Sequence, residues 1–282
     1  MMSAELVMGA VCYDAKVVTI WTGFRHWLRE NDLPFDFVLY SNYERQVEDL
    51  VAGHIHAAWN SPLAWVRAHR YASARGRHVR PLVMRDSDRD LTSVFVVRAD
   101  SAIDKLDDLD GATVATGAVD SPQATLIPLQ HLTELGVSVT ARRFNVGVGL
   151  HGDHVGGERD AARALMAGEV DAACLLDATH LLLTREGVLP PGATRIAGQT
   201  PPYDHCNITV IDTAPTALVD RLDALLRSMS FADPALRPLL ELEGLTSWEP
   251  GRTGGYDALS AAVDRTGFYG ACGELTAPGY RP

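Results

Sequence analysis

Val97-Arg98-Ala99-Asp100-Ser101-Ala102-Ile103, followed at once by Leu106-Asp107-Asp108-Leu109-Asp110-Gly111-Ala112-Thr113-Val114-Ala115, lies in the middle of a chain of 282 residues. The apolar run from Thr92 to Val97 reads as a strand that breaks at the polar pair Asp100-Ser101. Leu106 to Gly111 then introduces a second set of elements. These are a strand from Ala112 to Thr116, a helix from about Pro122 to Leu135 and a strand from Val139 to Phe144. A helix from about Arg159 to Ala167 and a strand from Ala172 to Leu176 complete the set.

The same alternation runs outward from this stretch in both directions. Towards the N-terminus lie an apolar run from Leu6 to Tyr13 and a helix from Lys16 to Glu30, whose Val17, Ile20, Trp21, Phe24, Trp27 and Leu28 share one face. Phe35 to Tyr40 follows, then a helix signalled by Ser41-Asn42 with Glu44 in its first turn. Ile55 to Trp59 ends in Asn60-Ser61-Pro62 and leads into a helix from Leu63 to Ala74. Towards the C-terminus, the turn-rich Gln199 to His205 precedes a strand from Asn207 to Ile211, and the rest is mainly helical, clearest over Leu218 to Met229 and Tyr256 to Thr266. Short apolar runs between amphipathic stretches predict an α/β protein with mostly parallel strands.

Composition bounds the function. With 46% apolar and 22% charged residues the chain buries a sizeable core, in one large domain or two lobes, and disorder is excluded. The 24 glycines and 15 prolines are ordinary usage, which excludes collagen-like and low-complexity readings. A formal charge of −11 without any Lys/Arg block argues against nucleic acid, whose backbone needs a basic footprint. Small anions stay open, because a few oriented amides in a closed cleft outweigh a distant surface field. The start, Met1-Met2-Ser3-Ala4-Glu5-Leu6-Val7-Met8-Gly9, lacks a basic, apolar, cleavable leader, and the expectation is a cytoplasmic chain with no membrane insertion. The alternative is an exported chain whose signal has been removed. Cys12, Cys174, Cys206 and Cys272 form no CxxC pair and read as reduced thiols.

The stretch from Val97 to Ala115, together with Leu126-Ile127-Pro128 and Leu135-Gly136, resembles the phosphate/phosphonate class of type 2 periplasmic binding proteins. Gly53-His54-Ile55-His56-Ala57-Ala58-Trp59-Asn60-Ser61-Pro62, Ala167-Gly168-Glu169-Val170-Asp171-Ala172-Ala173 and Gln199-Thr200-Pro201-Pro202 extend the resemblance over nearly the whole chain. The resemblance implies two α/β lobes joined by two crossings, with a ligand closed between them by hinge motion. Mapped onto this chain, residues 1–97 plus 205–282 form lobe one and residues 98–204 form lobe two.

Within that frame the helix start Asp120-Ser121-Pro122-Gln123-Ala124-Thr125 is an anion-site candidate. Ser121 suits the N-cap and Pro122 the first turn, leaving the amides of Gln123 and Ala124 for a ligand oxygen. The phosphonate binders are richer in hydroxyl residues and Gly here, and a well-capped helix with no ligand is the plain alternative. The loop Gly147-Val148-Gly149-Leu150-His151-Gly152-Asp153-His154-Val155-Gly156-Gly157-Glu158 offers five glycines for close approach to a ligand. Its His151, Asp153, His154 and Glu158 have the donor types of a divalent transition-metal site, and the same side chains also suit direct ligand contacts or a solvated loop.

Arg159, before Asp160-Ala161, matches the place where the family keeps a His; its planar fork suits a carboxylate or phosphate, or a surface salt bridge. Asp177 falls where the family keeps a ligand-contacting acid, at a strand end. Lobe one would offer Tyr13 and Asp14, Asn60 and Ser61, and Arg85 with Asp86, with Tyr13 and Asn60 preferred and the charged groups equally suited to facing water. Tyr203, His205 and Cys206 lie at the return crossing, where strand alternation would point His205 and Cys206 to opposite faces. No nucleophile elbow, P-loop or G-x-G-x-x-G after a strand is present.

Two functions follow. The first is capture of a small polar, anionic molecule bearing a phosphonate, phosphate or carboxylate group, handed to an ABC permease if the chain is exported. The second is a cytoplasmic enzyme on the same fold, similar to menaquinone-pathway enzymes, using His151, His154 or Glu158 for acid/base or elimination chemistry on a carboxylate substrate, with or without a metal.

Overall fold

The computed structural model describes residues 5–151 and 155–282. The first half runs β1 (Leu6–Val11), α1 (Lys16–Glu30), β2 (Phe35–Tyr40), α2 (Tyr43–Ala52), β3 (Ala57–Asn60), α3 (Pro62–Ser73) and β4 (Val79–Arg85). The middle contains β5 (Ser93–Arg98), β6 (Thr113–Thr116), α4 (Ile127–Glu134), β7 (Thr140–Arg143), α5 (Gly156–Met166), β8 (Ala172–Leu176), α6 (Asp177–Arg185) and β9 (Thr194–Gln199). The chain ends with β10 (Asn207–Ile211), α7 (Thr216–Ser228), α8 (Arg237–Glu243), β11 (Trp248–Pro250) and α9 (Asp257–Thr266).

Local chemistry sets the helix starts. The Asn42 side chain accepts from the Arg45 amide to cap α2, and the Ser61 hydroxyl accepts from the Ala64 amide to cap α3, with Pro62 at its first position. The expected helix from Pro122 divides in two: Pro122–Leu126 is a π-helical turn capped by Ser121, and α4 continues from it.

The strands form two sheets, ordered β11-β4-β10-β3-β1-β2 and β7-β6-β8-β5-β9. β1 pairs in parallel with β2 and β3, and β6 with β7 and β8, but every pairing of β4, β5 and β10 is antiparallel. The expectation of mostly parallel strands is therefore corrected. The chain passes from the first sheet to the second and back, and the strands that bracket these passages run against their neighbours.

The passages are residues 86–92 and 200–206, tied to each other by an antiparallel bridge between Leu91 and Tyr203. β5 pairs in the second sheet, so the sheets part before Ser93 and not at the expected 97/98. A large core around Phe24, Trp21, Trp59 and Trp248 backs the first sheet. A second apolar cluster joins the halves: Trp65 and Leu63 of α3, Leu126 and Ile127 of the π turn and α4, and Leu259, Phe268, Tyr269 and Tyr280 of the C-terminal segment.

The two glycines that open α5, Gly156 and Gly157, are packed against the protein itself. A Cβ on Gly157 would lie 2.6 Å from the Phe144 carbonyl oxygen, a backbone atom that cannot swing aside. Gly157→Ala is expected to destabilise the fold by about 1–3 kcal/mol, the range for forced overpacking, read as a lower urea midpoint at unchanged slope.

Candidate functional site in the interlobe cleft

Between the sheets lies a cleft of about 290 Å³. Its lobe-one wall carries Tyr13, Lys16 and Arg85, the crossings contribute Ser87, Asp88, Leu91 and His205, and the far wall carries Gln123, Val155, Glu158, Leu176, Ala178 and Thr179. The far wall and Lys16 have a common origin. Lys16 opens α1, Gln123 lies in the turn before α4, Val155 and Glu158 open α5, and Ala178 and Thr179 open α6. Helix N-terminal ends thus gather at one cleft, each bringing partial positive charge. The Asp14 and Asp177 side chains accept from the amides of Lys16 and Ala178 at two of them.

Where the two crossings meet the cleft, Arg85 grips Asp88 with two nitrogens, Nε to Oδ2 at 2.5 Å and a terminal nitrogen to Oδ1 at 2.9 Å. Its other terminal nitrogen donates to the Glu243 carbonyl at 2.7 Å, and the guanidinium lies 5.1 Å over the Trp59 ring. Burial pushes the Asp88 carboxyl up, but the Arg85 charge and the His205 and Arg85 hydrogen bonds outweigh it and hold it at about 2. The Arg85 charge is consequently spent inside the protein.

His205 is 7% exposed, and its Nδ1 sits 3.4 Å from Asp88 Oδ1 and 3.1 Å from Cys206 Sγ. Its Nε2 is buried with no hydrogen-bond partner among the described residues. The expected separation of His205 and Cys206 onto opposite faces fails because both precede β10, where the pleat has not begun. Asp88, His205 and Cys206 are close enough to hold a metal ion. The donor set does not fit one: the Arg85 cation already occupies the Asp88 carboxylate. It does not fit a nucleophile relay either, since thiol and carboxylate share one ring nitrogen instead of flanking the imidazole.

Glu158, fully buried, accepts from the Leu176 amide at 2.8 Å and faces the Gln123 side-chain amide at 3.4 Å. Burial pushes its carboxyl up to about 7, against the pull of those hydrogen bonds and of Thr179.

Of the residues singled out in the sequence, Tyr13, Arg85, Gln123, Glu158 and His205 line the cleft, and Asp177 stands between two lining residues, with Thr92 Oγ1 3.4 Å from its carboxylate. The others lie elsewhere. Asn60 is locked in the first sheet, accepting from Gln46 at 2.9 Å and donating to Thr209 at 2.8 Å. The Ser121 hydroxyl takes the Ala124 amide as an ordinary cap, so that amide does not await a ligand. Thr125 is buried and its hydroxyl has no partner among the described residues. Arg159 forks onto Glu186 outside the cleft, the surface salt bridge of the two alternatives. Tyr203 is packed into the interlobe cluster with its hydroxyl 2.7 Å from Ser93 Oγ. Asp88, Leu91 and Thr179 are cleft residues with no signal in the sequence, and Lys16 stood out there only as a helix start.

His151 is the largest correction. It reaches into lobe one, where its ring stacks on Tyr43 at 4.7 Å with Nδ1 2.8 Å from Ser61 Oγ and Nε2 2.8 Å from the Tyr280 hydroxyl and 3.2 Å from Glu44. Both ring nitrogens are thus engaged by protein, and His151 and Glu158 belong to no shared metal cluster among the described residues. Asp153 and His154 lie outside the described residues. Asp120 accepts from the Gly149 and His151 amides, holding the loop instead of facing the cleft.

No described helix is long and apolar enough to cross a membrane. The chain is similar to PhnD1 from Prochlorococcus marinus in complex with methylphosphonate, at 16% identity and TM-score 0.66, with 93% of this chain and 97% of that one covered. It is also similar to XAC2383 from Xanthomonas citri bound to chloride ion, at 21% identity and TM-score 0.69 with 93% and 98% covered. The periplasmic aliphatic sulphonate binding protein SsuA from Escherichia coli aligns at 17% identity and TM-score 0.55 with 92% and 90% covered. These likenesses show the two-lobed fold. No curated protein matches the sequence. Residues 11–256 match the family described as ABC transporter, phosphonate, periplasmic substrate-binding protein, and to that family of binding proteins the chain belongs.

Proposed function

We propose that the chain captures a small oxyanion of the phosphonate class in the cleft between lobes hinged at residues 86–92 and 200–206, and releases it chemically unchanged. The observation that carries this reading is the buried, unpartnered Nε2 of His205 in a cleft where four helical N-terminal ends gather. Lys16 supplies a cation at the opening, and Tyr13, Gln123 and Thr179 supply neutral polar groups. A volume of about 290 Å³ suits an anion of few heavy atoms. The family description supports an exported location and delivery to an ABC permease. Catalysis finds less support, because no nucleophile, base and orienting acid stand in series among the described cleft residues.

Calorimetric titration with methylphosphonate tests the reading, with saturable one-to-one binding expected. His205→Ala is expected to weaken that binding more than tenfold, the scale for leaving a buried charged partner unmet, while Arg159→Ala leaves it unchanged. Absence of binding by any small oxyanion, or an Arg159 effect as large as that of His205, overturns it.

A further inference from the structure

The two carboxyl groups lining the cleft keep different company. Asp88 is held by Arg85, whereas no Lys, Arg or His nitrogen of the described residues lies within ion-pair distance of Glu158. Glu158 meets polar or titratable groups from every neighbouring element. Among the described residues these are Gln123 on the π turn, the Cys174 thiol and Leu176 amide on β8, Thr179 on α6, and Tyr203 and His205 on the return crossing, with Asp177 acting on the same Tyr203 hydroxyl. Lys16 and the Arg85–Asp88 pair stand in the same cleft. None of the hydrogen-bonding groups on Glu158 neutralises a carboxylate. An anion entering beside an ionised Glu158 would put two like charges in a dry site, which costs several kcal/mol unless one proton is shared between them.

We propose that Glu158 makes anion capture depend on a shared proton, so that the cleft selects oxyanions that can bring one, phosphonates and phosphate esters, over sulfonates, which cannot. This rests on the cleft being an anion site. The same burial that isolates Glu158 raises its carboxyl to about 7, within reach of ordinary solution conditions. Below that value the acid donates a hydrogen bond to either kind of anion. Above it a sulfonate meets a bare carboxylate, while a hydrogen phosphonate, whose second dissociation lies near neutrality, donates its own P–O–H to Glu158.

The test is calorimetry with methylphosphonate and methanesulfonate between about pH 6 and pH 8.5, on the unmodified protein and on Glu158→Gln. In the unmodified protein, methanesulfonate affinity is expected to fall more than tenfold across that range and methylphosphonate affinity severalfold at most, so preference for the phosphonate grows with pH. In Glu158→Gln, whose amide cannot ionise, that growth is expected to vanish. A preference independent of pH in the unmodified protein, or the same growth in the Gln variant, overturns the role of Glu158 and leaves the anion site standing. Failure of both anions to bind at every pH overturns the anion site, and the inference with it.

Discussion

Arg85→Met is expected to destabilise the protein by about 3–5 kcal/mol, the cost of removing one partner of a buried ion pair, and to abolish ligand binding. The methionine keeps the apolar stem over Trp59 but leaves the Asp88 carboxylate, 1% exposed, with only His205. Arg85 also closes the end of β4 onto α8 through the Glu243 carbonyl. Asp88 in turn gives its backbone carbonyl to the His205 amide at 2.8 Å, so the pair joins the outgoing crossing to the return one. Losing the guanidinium therefore loosens the segment that sets the cleft's geometry.

The signs can be checked twice. Adding Asp88→Asn to Arg85→Met is expected to recover more than 1 kcal/mol in a double-mutant cycle, because the stranded charge is gone. In the unmodified protein Asp88 sits below its usual range, so its contribution is present above pH ~4 and lost as pH falls through about 2. In Arg85→Met the Arg85 charge and hydrogen bonds are gone, and burial, opposed only by His205, raises that carboxyl, so the variant gains relative stability on acidification. The gap in urea midpoint between the two proteins is expected to narrow from about pH 7 to pH 4. A constant gap would mean that Arg85 acts through packing alone.

How much of this cleft was legible follows from where its residues sit along the chain. Tyr13, Arg85 and Gln123 stand at element ends, where ligands gather on α/β sheets, and Glu158 and His205 sit beside turn-forming glycines and prolines, so local sequence pointed to all five. Lys16 was placed in the sequence as the start of α1, but nothing local says that this helix end faces a cleft. Asp88 carries no local signal, because one of its partners, His205, lies on the return crossing more than a hundred residues away. Thr179 was hidden because α6 follows β8 without any connector and exposes Leu181 and Leu182, which blurs the apolar face that signals a helix. β9, α8 and β11 were missed for related reasons: an edge strand with little burial, a helix of seven residues and a strand of three carry little periodicity. His151 was misread as a ligand or metal residue. Its true partners Ser61, Glu44 and Tyr280 lie 90, 107 and 129 residues away, a juxtaposition no spacing rule reveals.

His151→Ala is expected to cost about 3 kcal/mol or more, from two separable causes. The first is Glu44, which is buried on lobe one. Burial raises its carboxyl, but the charge and hydrogen bond of His151, together with the Tyr269 hydroxyl at 2.8 Å, hold it at about 2. Its contribution is therefore present above the ordinary carboxylate range and lost as pH falls through about 2. Without the imidazole the carboxylate keeps tyrosine hydroxyls and its own backbone amide but no cation, and Glu44→Gln added to His151→Ala is expected to recover part of the loss. The second cause is the backbone. His151 adopts φ 50°, a left-handed conformation that costs a residue with a Cβ about 1 kcal/mol, and the Asp120 carboxylate fixes it there through the Gly149 and His151 amides. His151→Gly removes the same ring without that strain, so it is expected to be about 1 kcal/mol more stable than His151→Ala. Because His151 stands in the loop that follows β7 of the second sheet and its partners belong to the first-sheet half, its loss is also expected to speed amide exchange on both sides of the cleft. If both variants lose less than about 1 kcal/mol, or if exchange changes only within the 147–151 loop, the imidazole does not tie the lobes together and Ser61, Tyr43 and Tyr280 merely enclose it.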